Sequence, residues 1–326
     1  MRPPRRISDL PPWVVVALAA VVFLGTLAVM SAIAGWNEVV DELRPNLSYW
    51  FAVAFGAEVL SFAAYVFAYR GIAHIENGPR LSLRESTELV AVGFGAFLAK
   101  GGAAVDAKAL SSGRGGREGE IRVLALDALE HAPLAPAACA ASIALLVQGK
   151  REPPLDFTIP WATLVPLGAV LAFVGVRNRR RFLDREGWRG HLGRILTGIH
   201  ILFRLACQWR RHWPAFAGAT VYWAGDVLCL WAALKPFGPS PAIPPVILAH
   251  AVGYVLTRRT LPLAGAGVVE VLMPLTLVAA GASFPGAVLG VITYRIFNLW
   301  LPLLPAALAL RRARRTLRRG ARARTA

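Results

Sequence analysis

Cysteine is scarce in this chain: three in 326 residues, Cys139, Cys207 and Cys229, scattered and with no CxxC pair. That spacing excludes a disulfide framework and a zinc site of the usual ligand pattern, so the three read as small core hydrophobes. Acids are short as well, 19 Asp and Glu against 36 Lys and Arg, for a formal net charge of +17. Also missing are HExxH, GxSxG, a P-loop and a paired DDxxD. No intramembrane enzyme with a known nucleophile or metal is therefore supported, no cofactor or metal is implied, and ATP drive is not indicated. The positive charge alone would fit nucleic acid, but its distribution excludes that partner. The arginines cluster beside hydrophobic runs, where they set topology and attract anionic headgroups.

What the chain has in excess is apolar sequence. Hydrophobic residues make up 56% of it, in several runs close to the roughly 20 residues that cross a hydrocarbon core of about 30 Å. Several of the 10 Trp stand near run ends (Trp13, Trp36, Trp161, Trp213), as an interfacial belt requires. The fold class expected is all-α: a polytopic membrane helix bundle of about eight spans plus re-entrant segments, one integral membrane domain over 1–326. An internal repeat is suggested, with halves at 13–147 and 159–310 and a basic tail at 311–326.

In chain order, the basic, proline-rich residues 1–12 precede a run from Trp13 to about Ala34, longer than a signal-peptide core and so read as an uncleaved anchor. The acidic loop with Glu38, Asp41 and Glu42 suits the outside. A second span, Leu47 to Tyr69, leads to the basic linker with Arg70, His74, Arg80 and Arg84, placed in the cytoplasm. Residues 88–110 are glycine-rich and less hydrophobic, and a hairpin that dips in and returns keeps the basic loop Arg114 to Arg122 in the cytoplasm. Spans follow at Ile121–Val147 and Ile159–Val176, then the basic loop Arg177–Arg194 and an interfacial helix over Ile195–His212 with apolar Ile195, Ile199, Leu202, Phe203 and Ala206. Trp213–Leu234, Ile243–Leu256, an interrupted stretch at 260–281 and a last run at about 286–310 complete eight crossings, with both termini in the cytoplasm. Parity and charge agree.

The interrupted stretch is the informative one. Leu261 to Glu270 holds Pro262, Gly265 and Gly267 in apolar sequence, ending in a carboxylate. Proline removes a donor and glycine frees the backbone, so a spanning helix breaks or kinks at about Pro262 to Gly267. One reading is a kinked helix with a satisfied Glu270; the other is a broken or re-entrant helix forming part of a transport site. Gly101-Gly102-Ala103-Ala104-Val105-Asp106 matches Gly265-Ala266-Gly267-Val268-Val269-Glu270 in outline, which favours the second reading.

At residues 261–305 the chain resembles the lysylphosphatidylglycerol synthase transmembrane family of flippase-like proteins. Pro262, Gly265, Gly267, Glu270 and Gly281 carry the likeness, with Tyr294-Arg295, Trp300 and Pro302 in the last span. The N-terminal half departs from the family pattern: Leu98-Ala99-Lys100-Gly101-Gly102 and Asp106-Ala107-Lys108 stand where relatives usually carry a proline. The resemblance implies a lipid-handling, translocase-type protein of a bacterial cytoplasmic membrane, binding an anionic phospholipid or polyprenyl phosphate. Some relatives add a soluble aminoacyl-transferase domain. None follows the last span here, so lipid aminoacylation is not expected of this chain.

The residues expected to line a headgroup groove are Arg295, Glu270, Gly265, Gly267, Tyr294, Lys100, Gly101, Gly102 and Asp106. Arg295 falls near mid-depth, where an arginine costs about 2.5–3.5 kcal/mol and calls for a carboxylate or an anionic ligand. A structural Glu270–Arg295 pair and a headgroup site are compatible readings, because a guanidinium can change partners. Asp127, Glu130 and His131 share one helix face, as a proton relay or simply a polar seam. Glu58, Asp226 and His250 each stand alone in a span and read as interhelical hydrogen-bonding groups. Two rivals to lipid translocation remain at this stage. One is a scaffold recruiting a lipid- or glycan-modifying enzyme through 177–212 and the tail. The other is proton- or cation-coupled transport of a small solute.

Overall fold

The computed structural model describes residues 12–43, 48–75, 78–97, 102–111, 116–149, 154–183, 187–239, 241–255, 265–307 and 309. Among these the regular structure is entirely helical. The first half holds α1 (Pro12–Ala34), α2 (Trp36–Glu42), α3 (Tyr49–Ala73), α4 (Leu83–Phe97), α5 (Gly102–Ala109) and α6 (Gly116–Val147). Then come α7 (Leu155–Asn178), α8 (Arg180–Leu183), α9 (Gly187–Cys207), α10 (Trp209–Leu234), α11 (Ile243–Val255), α12 (Val269–Ala279) and α13 (Phe284–Arg295), which runs on into a π-helical turn over Ile296–Trp300.

Six of these are long and apolar enough to cross a membrane: α1, α3, α6, α7, α10, and α13 with its continuation to Ala307. Two of the eight expected crossings fall on shorter apolar helices. Helices α11 and α12 have 13 and 11 residues, about 20 and 17 Å of rise against a core of about 30 Å. They pack on each other as two short helices on either side of the expected break. Helices α4 and α5 do the same around 98–101, which lie outside the described residues. The order long helix, two short helices, long helix thus occurs twice, as α3 to α6 and as α10 to α13. Helix α6 also starts earlier than expected, so Arg117 and Arg122 are helical residues rather than loop charges.

The bundle is built on α3 and α10. Gly218 and Gly225 on α10 stand so close to α3 that a Cβ would come within 2.6 Å of the Ala64 carbonyl and 2.8 Å of the Ala57 carbonyl. Gly71 faces Ala215 in the same way, and Ser61 donates to the Tyr222 carbonyl at 2.8 Å. Small residues let two backbones meet where lipid offers no hydrophobic drive to hold them together. By contrast α7 is peripheral: 6% of its apolar window is buried, against 61% for α10.

Two polar devices shape the basic end. Arg122, almost fully buried, donates to the carbonyls of Ile72 (3.1 Å), Ala73 (3.5 Å) and Ile75 (2.8 Å) and pairs with Glu118 at 3.0 Å, so it caps the end of α3. Ser82 and Glu85 form a reciprocal capping box at the start of α4. Ser82 N donates to Glu85 at 2.8 Å, and Glu85 N donates to Ser82 Oγ at 3.2 Å. The Ser82 amide, with the Ser82 hydroxyl that donates to the same carboxylate at 2.7 Å, holds the Glu85 acid below its ordinary value.

Helix α9 differs from the expected interfacial helix. It ends at Cys207, so Arg211 and His212 belong to α10. It buries Gly190, Gly193, Leu196, Gly198, Ile201 and Leu205, and α6 is its main neighbour. The apolar residues expected to lie in the interface are half-buried or exposed, with Phe203 against Phe173 of α7. The glycines decide this, because Gly198 admits the Leu124–Ala125 backbone where a side chain would collide.

Candidate functional site

The helix break lies where the glycines place it. Gly265 and Gly267 have φ of +71° and +89°, a left-handed backbone that L side chains rarely adopt, and α12 starts just after them at Val269. Pro262 is outside the described residues. Glu270 then serves two partners. Its Oε2 accepts from Gly267 N at 2.6 Å, capping the turn, and its Oε1 accepts from Arg295 Nε at 2.6 Å. Both side chains are buried, Glu270 at 2% exposure and Arg295 at 1%. The pair is sealed in this conformation. Helix α1 covers the turn, since a Cβ on Gly267 would meet Val22 at 3.1 Å and Thr26 at 3.5 Å.

Beside this pair is a second polar layer that gathers residues from four elements. His250 Nε2 (α11) lies 3.1 Å from Asp226 Oδ2 (α10). The Tyr294 hydroxyl (α13) is 3.0 Å from Asp226 Oδ1, 2.8 Å from the Tyr254 hydroxyl and 3.3 Å from His250 Nε2. Tyr254 donates to Asn298 Oδ1, and Asn298 Nδ2 donates to Asp226 at 2.7 Å and to Glu58 (α3) at 3.4 Å. Tyr294 has one proton and several acceptors in reach, so the network has more than one proton arrangement. His250 stacks on Tyr254, and its Nδ1 is buried without a hydrogen-bond partner among the described residues. Asp226 and His250 have no exposed surface.

The expected site residues are thus sorted. Arg295, Glu270, Gly265, Gly267 and Tyr294 come together. Lys100 and Gly101 lie outside the described residues, and Gly102 opens α5. Asp106 is buried, on a helix whose main neighbours are α4 and α6, whereas α12 packs mainly on α1, α11 and α13. Asp106 and Glu270 thus sit on helices with different main neighbours. The Asp127, Glu130 and His131 face also divides. Glu130 is buried, with Tyr65 donating to it at 3.4 Å. Asp127 and His131 are each 38% exposed, and His131 Nδ1 lies 2.8 Å from the Asp127 carbonyl.

The residues that sequence reasoning undervalued are Glu58, Asp226 and His250, with Tyr254 and Asn298 beside them. Apart from His250 and Tyr254, which share α11, they come from separate parts of the chain, and helix packing makes them neighbours. The sequence signal was there, an ionisable group in each apolar span.

Fold and site together define a polytopic all-α membrane protein with a broken helix and a buried charged seam. The chain matches the family described as the lysylphosphatidylglycerol synthase TM region over residues 13–306. It belongs to that family. No curated protein matches it significantly.

Proposed function

We propose that the chain binds an anionic lipid headgroup at membrane depth and passes it along the seam around Glu270 and Arg295, as a lipid translocase does. The observation that supports this most is the double use of one carboxylate, which caps the helix break and neutralises the buried arginine. A guanidinium at this depth needs an anion. Glu270 is that anion in the closed conformation, and a lipid phosphate offers the same pair of oxygens to the same planar fork. When phosphate takes Arg295, Glu270 still holds the Gly267 amide, so the break stays capped while the arginine changes partner. A bare charge is never left in hydrocarbon, and that cost is what bars an unaided headgroup.

Reconstitution in liposomes with labelled phosphatidylglycerol, and separately with a polyprenyl phosphate, tests this. Wild-type protein is expected to bring inner-leaflet label to a surface quencher, and Arg295→Met to stop it while still folding. Equal transport by Arg295→Met removes the arginine from the mechanism.

The Asp226–His250 pair favours a second reading, in which proton movement accompanies transport. It would run through the Asp226, His250 and Tyr294 contacts rather than through Asp127, Glu130 and His131. Proton uptake on substrate addition, lost in Asp226→Asn, supports this; uptake unchanged in that variant excludes it.

A further inference from the structure

Away from the Glu270–Arg295 seam, the basic end of the bundle holds a cavity of about 840 Å³. Six basic side chains line it: Arg70 from α3, His74 just past its end, Arg80 from the connection to α4, Arg204 from α9, and Arg211 and His212 from α10. Glu85 is the carboxylate in its wall, and it is tied to Ser82. Four guanidiniums around one chamber make it strongly positive, and arginine forks suit phosphate oxygens.

The chamber does not end there. A smaller cavity of about 280 Å³ shares Arg70, His74, Arg211 and His212 with it and adds Phe67 and Pro214. Those last two also line a third space of about 300 Å³ between α3 and α10, whose walls are Leu60, Ala63, Ala217 and Val221 among other apolar residues. From Arg70 to Leu60 is ten residues of α3, and from Arg211 to Val221 ten of α10, about 15 Å at 1.5 Å per residue. That is about half of a hydrocarbon core of roughly 30 Å, the depth of one leaflet. Trp213, 53% exposed, stands where charge gives way to oil, as an interfacial aromatic does. In depth order the path reads charge, aromatic, apolar, which is the profile of a lipid molecule.

We infer that this path is a binding site for an anionic phospholipid, its phosphate among Arg70, Arg204 and Arg211 and one acyl chain in the α3–α10 groove. A free phosphate would fill the chamber and leave the groove without a role. The site does not depend on translocation. A chain that binds lipid here and moves none keeps this site and loses the function proposed above.

The test is equilibrium binding of phosphatidylglycerol to the purified chain in phosphatidylcholine nanodiscs, read by native mass spectrometry. Arg204→Gln with Arg211→Gln removes two charges at exposed positions and is expected to weaken binding about tenfold or more. Ala63→Trp fills the groove from its exposed side and is expected to weaken phosphatidylglycerol while leaving competition by inorganic phosphate unchanged. For wild-type protein, a phosphatidylglycerol carrying a photoreactive group on its chain is expected to label residues within 60–67 and 213–221. Equal lipid affinity in the arginine variant overturns the site. Lipid binding indifferent to Ala63→Trp, with full displacement by inorganic phosphate, identifies a soluble-anion site instead. Labelling confined to other helices overturns the assignment even if a variant fails to fold.

Discussion

Consider removing each member of the Glu270–Arg295 pair in turn. Both side chains are buried and the contact is 2.6 Å. Replacing one member leaves the other charged in a place that water does not reach, at a cost of about 3–5 kcal/mol. Arg295→Met therefore strands a carboxylate that, among the described residues, retains the Gly267 amide. Glu270→Gln takes the counter-charge from the guanidinium, yet its side-chain carbonyl can still accept from Gly267, so the turn keeps its cap. Combining the two substitutions removes both charges and leaves that cap in place. The double variant should then lose less than the sum of the singles by about 2–3 kcal/mol, the upper range for residues in direct contact. Reversible unfolding in mixed lipid–detergent micelles, followed by tryptophan fluorescence, gives all four free energies. If the two single losses simply add, or if each is below about 1 kcal/mol, the pair does not interact as described and the reasoning is wrong.

Other outcomes follow from the same geometry. Gly267→Ala places a side chain at φ +89° and 3.1 Å from Val22, and should cost about 1–3 kcal/mol, whereas Gly25→Ala, with nothing within 4 Å, should not destabilise. Both are read from the same unfolding curves. Arg122→Ala takes the Arg122 donor from the Ile72 and Ala73 carbonyls at the end of α3 and should cost about 3 kcal/mol, with faster amide exchange near Ile75. Gly225→Leu drives a side chain into the Ala57 carbonyl and should prevent α3–α10 assembly, seen as loss of the folded peak in size-exclusion chromatography. For Glu85 the folded acid lies below its ordinary 4.5, so its contribution to the start of α4 is fully present above that value. It is lost as pH falls through the folded value. The Glu85 carboxyl resonance should titrate below 4.5, and Ser82→Ala should raise it only part of the way, because the larger bond from the residue 82 amide remains.

How much of this was legible in the chain itself depends on how local the cause is. Hydrophobic runs of membrane length specify the long helices, because spanning backbone has to satisfy its own hydrogen bonds. Gly265, Gly267 and the acid three residues on specify a break with its own cap, since a φ near +89° and a capping carboxylate are matters of a few neighbouring residues. The pairing of Glu270 with Arg295 was also within reach, because a buried guanidinium needs an anion.

Other features lay beyond the sequence. Glu58, Asp226, the His250/Tyr254 pair and the Tyr294/Asn298 pair come from four different parts of the chain, up to 240 positions apart, and nothing in the sequence brings those four together. Small residues such as Gly218 and Gly225 set how closely α3 and α10 approach, and only that approach gathers the polar groups into one layer. The same crossing also brings arginines from the linker, α9 and α10 around one chamber. Along the chain they read as charges of a linker and of an interfacial helix. Which charges share a cavity is decided by helix packing, a long-range property that local sequence patterns do not carry.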